Sequence, residues 1–275
     1  MRFGVSTHAY PWAIGIPWVP ELMPETPMDA FAFLRKVAGF GVHLVQIADN
    51  LPLDRYSYQE REDLVKLAAE LGIDVEVGTR GIKPENLEAY LEIARQFHAP
   101  ILRVVIDSKD HKPDPPEVID LLRPFLPKLQ AARVVLAIEN HDRFKCQTLV
   151  EILKALDSPY VGICLDTVNS YGVLEGTDVV VEALGPYTVN LHLKDFVVKR
   201  VPSKLGWTVE GTPAGEGMLD IPGLIRRLKG HGREFNAILE LWIPPEENIA
   251  KTLKKEEEWI ARSIAAMRQV PELVF

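Results

Sequence analysis

The chain has 275 residues, of which 47% are apolar, and 31 Lys and Arg against 39 Asp and Glu give a formal charge of −8. That balance excludes disordered, collagen-like and coiled-coil chains, and the length suits either two domains or one large α/β barrel. An acidic protein without a basic block is not expected to have nucleic acid as its partner. The opening MRFGVSTHAYPW lacks the apolar stretch of a secretory signal, and no run approaches the roughly 20 apolar residues that span a bilayer. A cytoplasmic protein with no membrane partner is the expectation. Cys146 and Cys164 have no CxxC spacing and are expected as buried thiols.

In chain order, the first expected strand, Phe3–Thr7, opens into a proline-rich connection from Ala9 to Met28 that carries Tyr10, Trp12 and Trp18. Helix Ala30–Ala38 leads to strand His43–Ala48, helix Glu60–Leu71 to strand Asp74–Gly78, and helix Pro84–Phe97 to strand Ile101–Ile106. Helix Pro116–Gln130 precedes strand Val134–Glu139, helix Gln147–Leu156 precedes strand Val161–Asp166, and helix Val179–Leu184 precedes strand Val189–His192. A second long connection, Asp195 to Leu219, holds Lys199, Arg200, Lys204 and the turn Gly215-Glu216-Gly217. Helix Ile221–Lys229, strand Ala237–Leu241 and a last helix, Glu246–Met267, complete the pattern. Eight strand–helix units without a linker predict one domain over residues 1–275, an α/β chain folded as a (β/α)8 TIM barrel. An open doubly wound sheet is the alternative, but STHAYPW after the first strand offers no glycine-rich phosphate turn. Both long connections follow strands, on the face where barrel active sites sit.

Four strands end in a metal-competent side chain: AIE at Glu139, CLD at Asp166, NLH at His192 and ILE at Glu240. Residues two positions earlier, Ala137, Cys164, Asn190 and Ile238, share their parity and so the same inward direction. Charged groups pointing into a barrel are costly unless paired or coordinated. Three carboxylates and an imidazole at one height are therefore expected to hold one divalent ion. The ordinary alternative is strand-end acids paired with rim Lys or Arg. The oxygen-rich set favours Mn²⁺, with Mg²⁺, Co²⁺ or Zn²⁺ as alternatives. Cys164, one layer lower, is assigned to the core.

The motifs LAIENH (Leu136–His141), CLDTVN (Cys164–Asn169), NLHLKD (Asn190–Asp195), GEG (Gly215–Gly217) and ILELW (Ile238–Trp242) resemble those of the xylose-isomerase-like barrels. The likeness is to the sugar isomerase and epimerase branch that includes D-tagatose 3-epimerase and hydroxypyruvate isomerase. It implies that Glu139, Asp166, His192 and Glu240 bind one divalent metal and that Glu139 and Glu240 exchange the substrate proton as catalytic acid and base. It also implies a small sugar or sugar acid as substrate and a homo-oligomer. One position departs from the pattern, since the family commonly has His where this chain has Asn169.

Three chemistries share the stabilised enediolate such a site would support. Proton return to the opposite face epimerises, return to the neighbouring carbon isomerises, and loss of CO₂ from a keto sugar acid reaches the same intermediate. The leading expectation is an isomerase or epimerase. A decarboxylating lyase is the alternative, motivated by Asn169 and by the cations Lys194, Lys199, Arg200 and Lys204, which suit a carboxylated or phosphorylated substrate. A nuclease like endonuclease IV is disfavoured by the net charge of −8 and only seven His, and a non-enzymatic binding barrel is the remaining reading. Lys194 shares the inward parity of His192 and is expected to touch substrate. Asn169, His141, His8, Tyr10, Trp12, Arg200 and Glu216 are further substrate-binding candidates, with Asn140 orienting Glu139 and with Arg103 and Gln46 near the pocket wall.

Overall fold

The computed structural model describes all 275 residues. Eight parallel strands close into a barrel: β1 (Phe3–Ser6), β2 (Leu44–Ile47), β3 (Asp74–Arg80), β4 (Ile101–Val105), β5 (Val135–Glu139), β6 (Val161–Asp166), β7 (Thr188–Leu193) and, after an inserted hairpin, β10 (Asn236–Leu239). Strand β10 pairs with both β7 and β1, so no sheet edge is left open. These strands read as nearly continuous apolar runs because both of their faces are covered. The helices are α1 (Pro11–Ile14), α2 (Ala30–Ala38), α3 (Tyr58–Glu70), α4 (Pro84–Gln96), α5 (Pro115–Leu122), α6 (Leu126–Ala132), α7 (Cys146–Leu156), α8 (Thr177–Leu184), α9 (Ile221–Lys229) and α10 (Ile249–Met267). Local sequence starts several of them: Asp29 caps α2, Ser57 and Glu60 form a capping box on α3, Asp114 caps α5 before its proline, and Asn248 caps α10. None of the helices is long and apolar enough to cross a membrane.

The main core lies between the strands and the helices, while Ile101, Ala137 and Cys164 form a small apolar layer inside the barrel. Above that layer the interior turns polar. The ladder between β6 and β7 aligns Asp166 with His192, whereas β5 and β6 align Glu139 with Cys164, and β10 and β7 align Ile238 with His192. The row of candidate ligands at the strand ends is thus a staircase in register, which the tilt of barrel strands brings to a common height.

Two expected elements take a different form. The single helix Pro116–Gln130 is broken into α5 and α6 by a 3-10 turn over Arg123–Phe125, because Pro124 and Pro127 lack the amide that a continuous helix needs. The connection Asp195–Leu219, expected as a loop, contains an antiparallel hairpin, β8 (Asp195–Arg200) and β9 (Trp207–Thr212). The hairpin is fixed at its base. The buried carboxylate of Asp195 accepts from the backbone N–H groups of Phe196 (2.8 Å), Gly215 (2.9 Å), Gly217 (2.9 Å) and Leu219 (3.1 Å). A Cβ at Gly217 would overlap that carboxylate, and one at Gly211 would overlap the carbonyl oxygen of Trp242, so both positions require glycine.

The first connection is also ordered, through α1. Glu256 of α10, only 2% exposed, accepts from the backbone N–H of Trp12 at 2.8 Å and of Ala13 at 3.0 Å. Burial raises its carboxyl to about 8, against those two N–H groups, which favour the ionised form. The folded chain therefore holds this proton more tightly than the unfolded one. The stability the group contributes is complete below its ordinary value of 4.5 and lost as pH rises through about 8. Urea denaturation across that interval is expected to show stability declining with pH, and Glu256→Gln is expected to flatten the decline. An identical slope in the variant would show that the proton resides elsewhere.

Candidate metal centre

The four strand-end residues meet at the C-terminal mouth of the barrel, all of them at most 2% exposed. His192 is the hub. Its Nδ1 lies 3.2 Å from Glu139 Oε2, 3.3 Å from Glu240 Oε1 and 4.0 Å from Asp166 Oδ2. Yet neither His192 Nδ1 nor Glu240 Oε1 makes a hydrogen bond, although both are buried. Buried polar atoms are rarely left without a partner, and two that face the same point, one a lone-pair nitrogen and one a carboxylate oxygen, fit a cation. Donor atoms of Asp166, His192 and Glu240 lie within 4.8 Å of one another, as do those of Glu139, Cys164 and His192. Cys164, assigned to the core, thus reaches the edge of the ligand set while bonding to Asn190 Oδ1 at 3.4 Å.

Three of the four candidate ligands are hydrogen-bonded from outside the cluster. Asn140 clamps the end of β6, accepting from the Asp166 N–H at 2.7 Å and donating to its carbonyl at 2.9 Å. Asp166 Oδ1 accepts from the N–H groups of Val168 and Asn169, both at 2.8 Å. The Asn169 amide donates to Glu139 Oε1 at 2.7 Å, and Arg103 Nε donates to Glu139 Oε2 at 2.5 Å. Beneath the site, Gln46 Oε1 accepts from His192 Nε2 at 2.7 Å, and Gln46 is itself held by Glu76 and Asn190.

Two permanent cations sit in the same low-dielectric space. Arg103 bridges Glu139 and Asp49, each at 2.5 Å, and Lys194 Nζ lies 2.6 Å from Asp166 Oδ2 and 2.8 Å from Glu240 Oε2. Four carboxylates against these two cations and Arg80, which pairs with Asp49 at 3.0 Å from the rim, leave the site net negative, as a bound cation requires. Burial would raise the carboxyl of Glu139, but Arg103 and then His192 hold it well below its ordinary value. Burial likewise opposes ionised Glu240, yet His192 and Lys194 bring it to about 2. Burial would lower Lys194, and Asp166 and Glu240 reverse this, so it stays an ammonium.

A cavity of about 400 Å³ opens beside the ligands, lined by His8, Trp12, Lys194, Glu240 and Trp242 among others. His8, Trp12 and Lys194 therefore sit where the sequence placed them. His141 lies on the rim, 2.5 Å from Asp142, and Asn169 touches Glu139. Three candidates do not reach the site. Tyr10 is 1% exposed and packs edge-on against Phe33, so it belongs to the core. Arg200 lies at the hairpin tip, 4.2 Å from the Trp207 ring, and donates to the Lys204 carbonyl. Glu216 is drawn away by Arg262 of α10. The expected basic patch is also dispersed, since Lys199 pairs with Glu210 at 3.1 Å in the hairpin and Lys204 turns its tip. Asp49 and Glu76 were missed. Inward parity marks Glu76 within DVEV, but Asp49 follows β2 in a turn that carries no periodic signal.

A family profile described as xylose isomerase-like TIM barrel matches residues 34–270. A 3-oxo-isoapionate decarboxylase of Pectobacterium atrosepticum is 33% identical over 264 residues, covering 96% of this chain and 94% of that protein. A crystal structure of D-psicose 3-epimerase in the presence of D-fructose superposes with TM-score 0.73 at 15% identity, over 98% of this chain and 99% of the other. A xylose isomerase-like TIM barrel protein from Mycobacterium smegmatis in complex with magnesium gives 0.67 at 16% identity, over 97% of both chains. At those identities the solved structures show a shared fold.

Arg103 carries the heaviest electrostatic duty of any side chain here. Arg103→Met keeps much of its volume but takes the guanidinium from buried Glu139 and leaves Asp49 only the more exposed Arg80 at 3.0 Å and His8 at 3.4 Å. It is expected to cost about 3–5 kcal/mol in urea unfolding. A loss under 1 kcal/mol would mean that the two acids are not buried against it.

Proposed function

The chain belongs to the xylose isomerase-like TIM barrel family, and within it we propose a divalent-metal-dependent lyase that decarboxylates a 3-keto sugar acid. Of the two leading chemistries the sequence allows, the isomerase needs a glutamate free to abstract a proton. The observation that carries the lyase is that no oxygen of either glutamate is left to act as a base: Asn169 and Arg103 engage Glu139 Oε1 and Oε2, Lys194 pairs with Glu240 Oε2, and Glu240 Oε1 faces the point a cation would fill. A carboxylate so clamped is a good ligand and a poor base. Decarboxylation requires no proton abstraction from carbon. The 33% identical decarboxylase supports the same reading.

A divalent ion held by Glu139, Asp166, His192 and Glu240, Mn²⁺ by preference, would supply Lewis acidity toward the substrate's keto oxygen. The bond between the carboxylate carbon and its neighbour breaks, its electron pair passes toward the keto group, and CO₂ leaves. Lys194 serves the two ends of this step. Asp166 accepts one of its three N–H groups and Glu240 pairs with the ammonium at 2.8 Å, leaving an N–H for the substrate carboxylate or for protonating the carbon that CO₂ vacates. Its ammonium also lies 5.8 Å from the Trp242 ring, which with Trp12 gives the cavity beside it an apolar wall.

The test is CO₂ release from 3-oxo-isoapionate and related 3-keto sugar acids in D₂O, with and without Mn²⁺. Metal-dependent CO₂ with one deuterium in the product is the expected result. Lys194→Met is expected to lower kcat by about a hundredfold or more. Deuterium entering D-fructose or D-psicose, with no CO₂ from any keto acid, would overturn the lyase in favour of an epimerase.

A further inference from the structure

A metal-ligating imidazole must present a bare nitrogen, and which nitrogen is bare depends on what holds the other. In this barrel the answer is traceable through a buried chain of side chains that begins on β3, two elements away from the ligands. Glu76, Gln46, Asn190 and His192 are all 0% exposed, so none of them exchanges partners with solvent.

Glu76 accepts from three amides. Gln46 Nε2 donates to its Oε2 at 3.1 Å, Asn190 Nδ2 donates to the same oxygen at 2.8 Å, and Asn236 Nδ2 donates to Oε1 at 2.8 Å. The second N–H of Gln46 goes to Asn190 Oδ1 at 3.2 Å. An amide reversed at Gln46 would set oxygen against the Glu76 oxygen and lose both bonds. Its carbonyl oxygen is therefore the group that faces His192 Nε2, at 2.7 Å. A carbonyl oxygen only accepts, so Nε2 carries the hydrogen. The lone pair is left on Nδ1, the atom that faces Glu139 and Glu240 without a hydrogen bond.

We infer that Glu76 is a positioning residue for the metal centre, setting the tautomer of His192 through the fixed orientation of Gln46. The inference rests on the metal reading of the site for its consequence, but the tautomer itself is a property of the metal-free chain. Each link is forced by donor and acceptor type alone, so exchanging the two end groups should preserve the output. With Glu76→Gln alone, the amide at position 76 tolerates either orientation of Gln46, and His192 is released to both tautomers. With Glu76→Gln and Gln46→Glu together, the carboxylate at position 46 again only accepts, from the new amide and from Nε2–H.

Long-range ¹H–¹⁵N NMR of the metal-free protein at alkaline pH reads which ring nitrogen of His192 is protonated, and calorimetry with Mn²⁺ reads affinity. The native chain is expected to show Nε2–H. Glu76→Gln is expected to show a mixture and to bind Mn²⁺ about 10–100-fold more weakly. The exchanged pair is expected to regain the native tautomer and most of the affinity. An Nδ1–H native chain, an unaltered Glu76→Gln, or an exchanged pair as weak as Glu76→Gln would each overturn the inference. The native spectrum decides it even where a variant does not fold. A native chain that shows Nε2–H and binds no divalent ion would refute the metal reading while leaving the tautomer chain standing.

Discussion

The structure of the barrel mouth depends on one constraint, the requirement that buried charge be balanced where water cannot balance it. Asp49, Glu139, Asp166 and Glu240 crowd one end of a closed barrel, where each would be strongly destabilising alone. Arg103, 2% exposed, spans from β4 to β5 and to the turn after β2, and Lys194 spans from beyond β7 to β6 and β10. Each cation ties together segments distant in sequence, Arg103 across 54 and 36 residues and Lys194 across 28. The same pairing holds Glu139 and Glu240 in their ionised forms despite their burial.

Much of this was legible in the sequence because barrels repeat. A short strand leading to a metal-competent side chain, four times over at separations of 27, 26 and 48 residues, marks both the wall and the candidate ligand row. Parity alone sent Lys194 inward, and the structure places it on Asp166 and Glu240. Local pattern does not encode which cation crosses to which acid. Arg103 read as a pocket residue, but its bonds to Asp49 and Glu139 span 54 and 36 residues. Tyr10 misled because an aromatic after a strand looks the same whether it covers a sugar or packs on Phe33. Glu216 misled because its partner, Arg262, lies 46 residues downstream on the last helix. The hairpin escaped notice since its strands alternate weakly and carry exposed Trp207 and Val209.

That last helix gathers the loops at the C-terminal face of the barrel. Glu256 holds the backbone of the β1 connection, Lys255 donates to the Pro244 carbonyl at 2.9 Å in the segment after β10, and Ser263 accepts from Ala214 N–H at 3.0 Å at the hairpin base. Three loops that line or flank the cavity thus share one rigid support. Order in such loops is otherwise costly in conformational entropy, and anchoring all three to α10 lets the pocket exist before substrate arrives.

The contact between Gly211 and Trp242 carries a consequence for how such a pocket diversifies. Hairpin backbone and cavity wall approach so closely there that no side chain fits between them. The two segments consequently form a single heritable module, although they are separated in sequence by α9 and β10. Recombination that imported a hairpin from a relative without its matching post-β10 segment would join two surfaces that never evolved to touch. New substrate preferences in this lineage should therefore arise by paired change on both sides of that seam, with the glycine itself left in place.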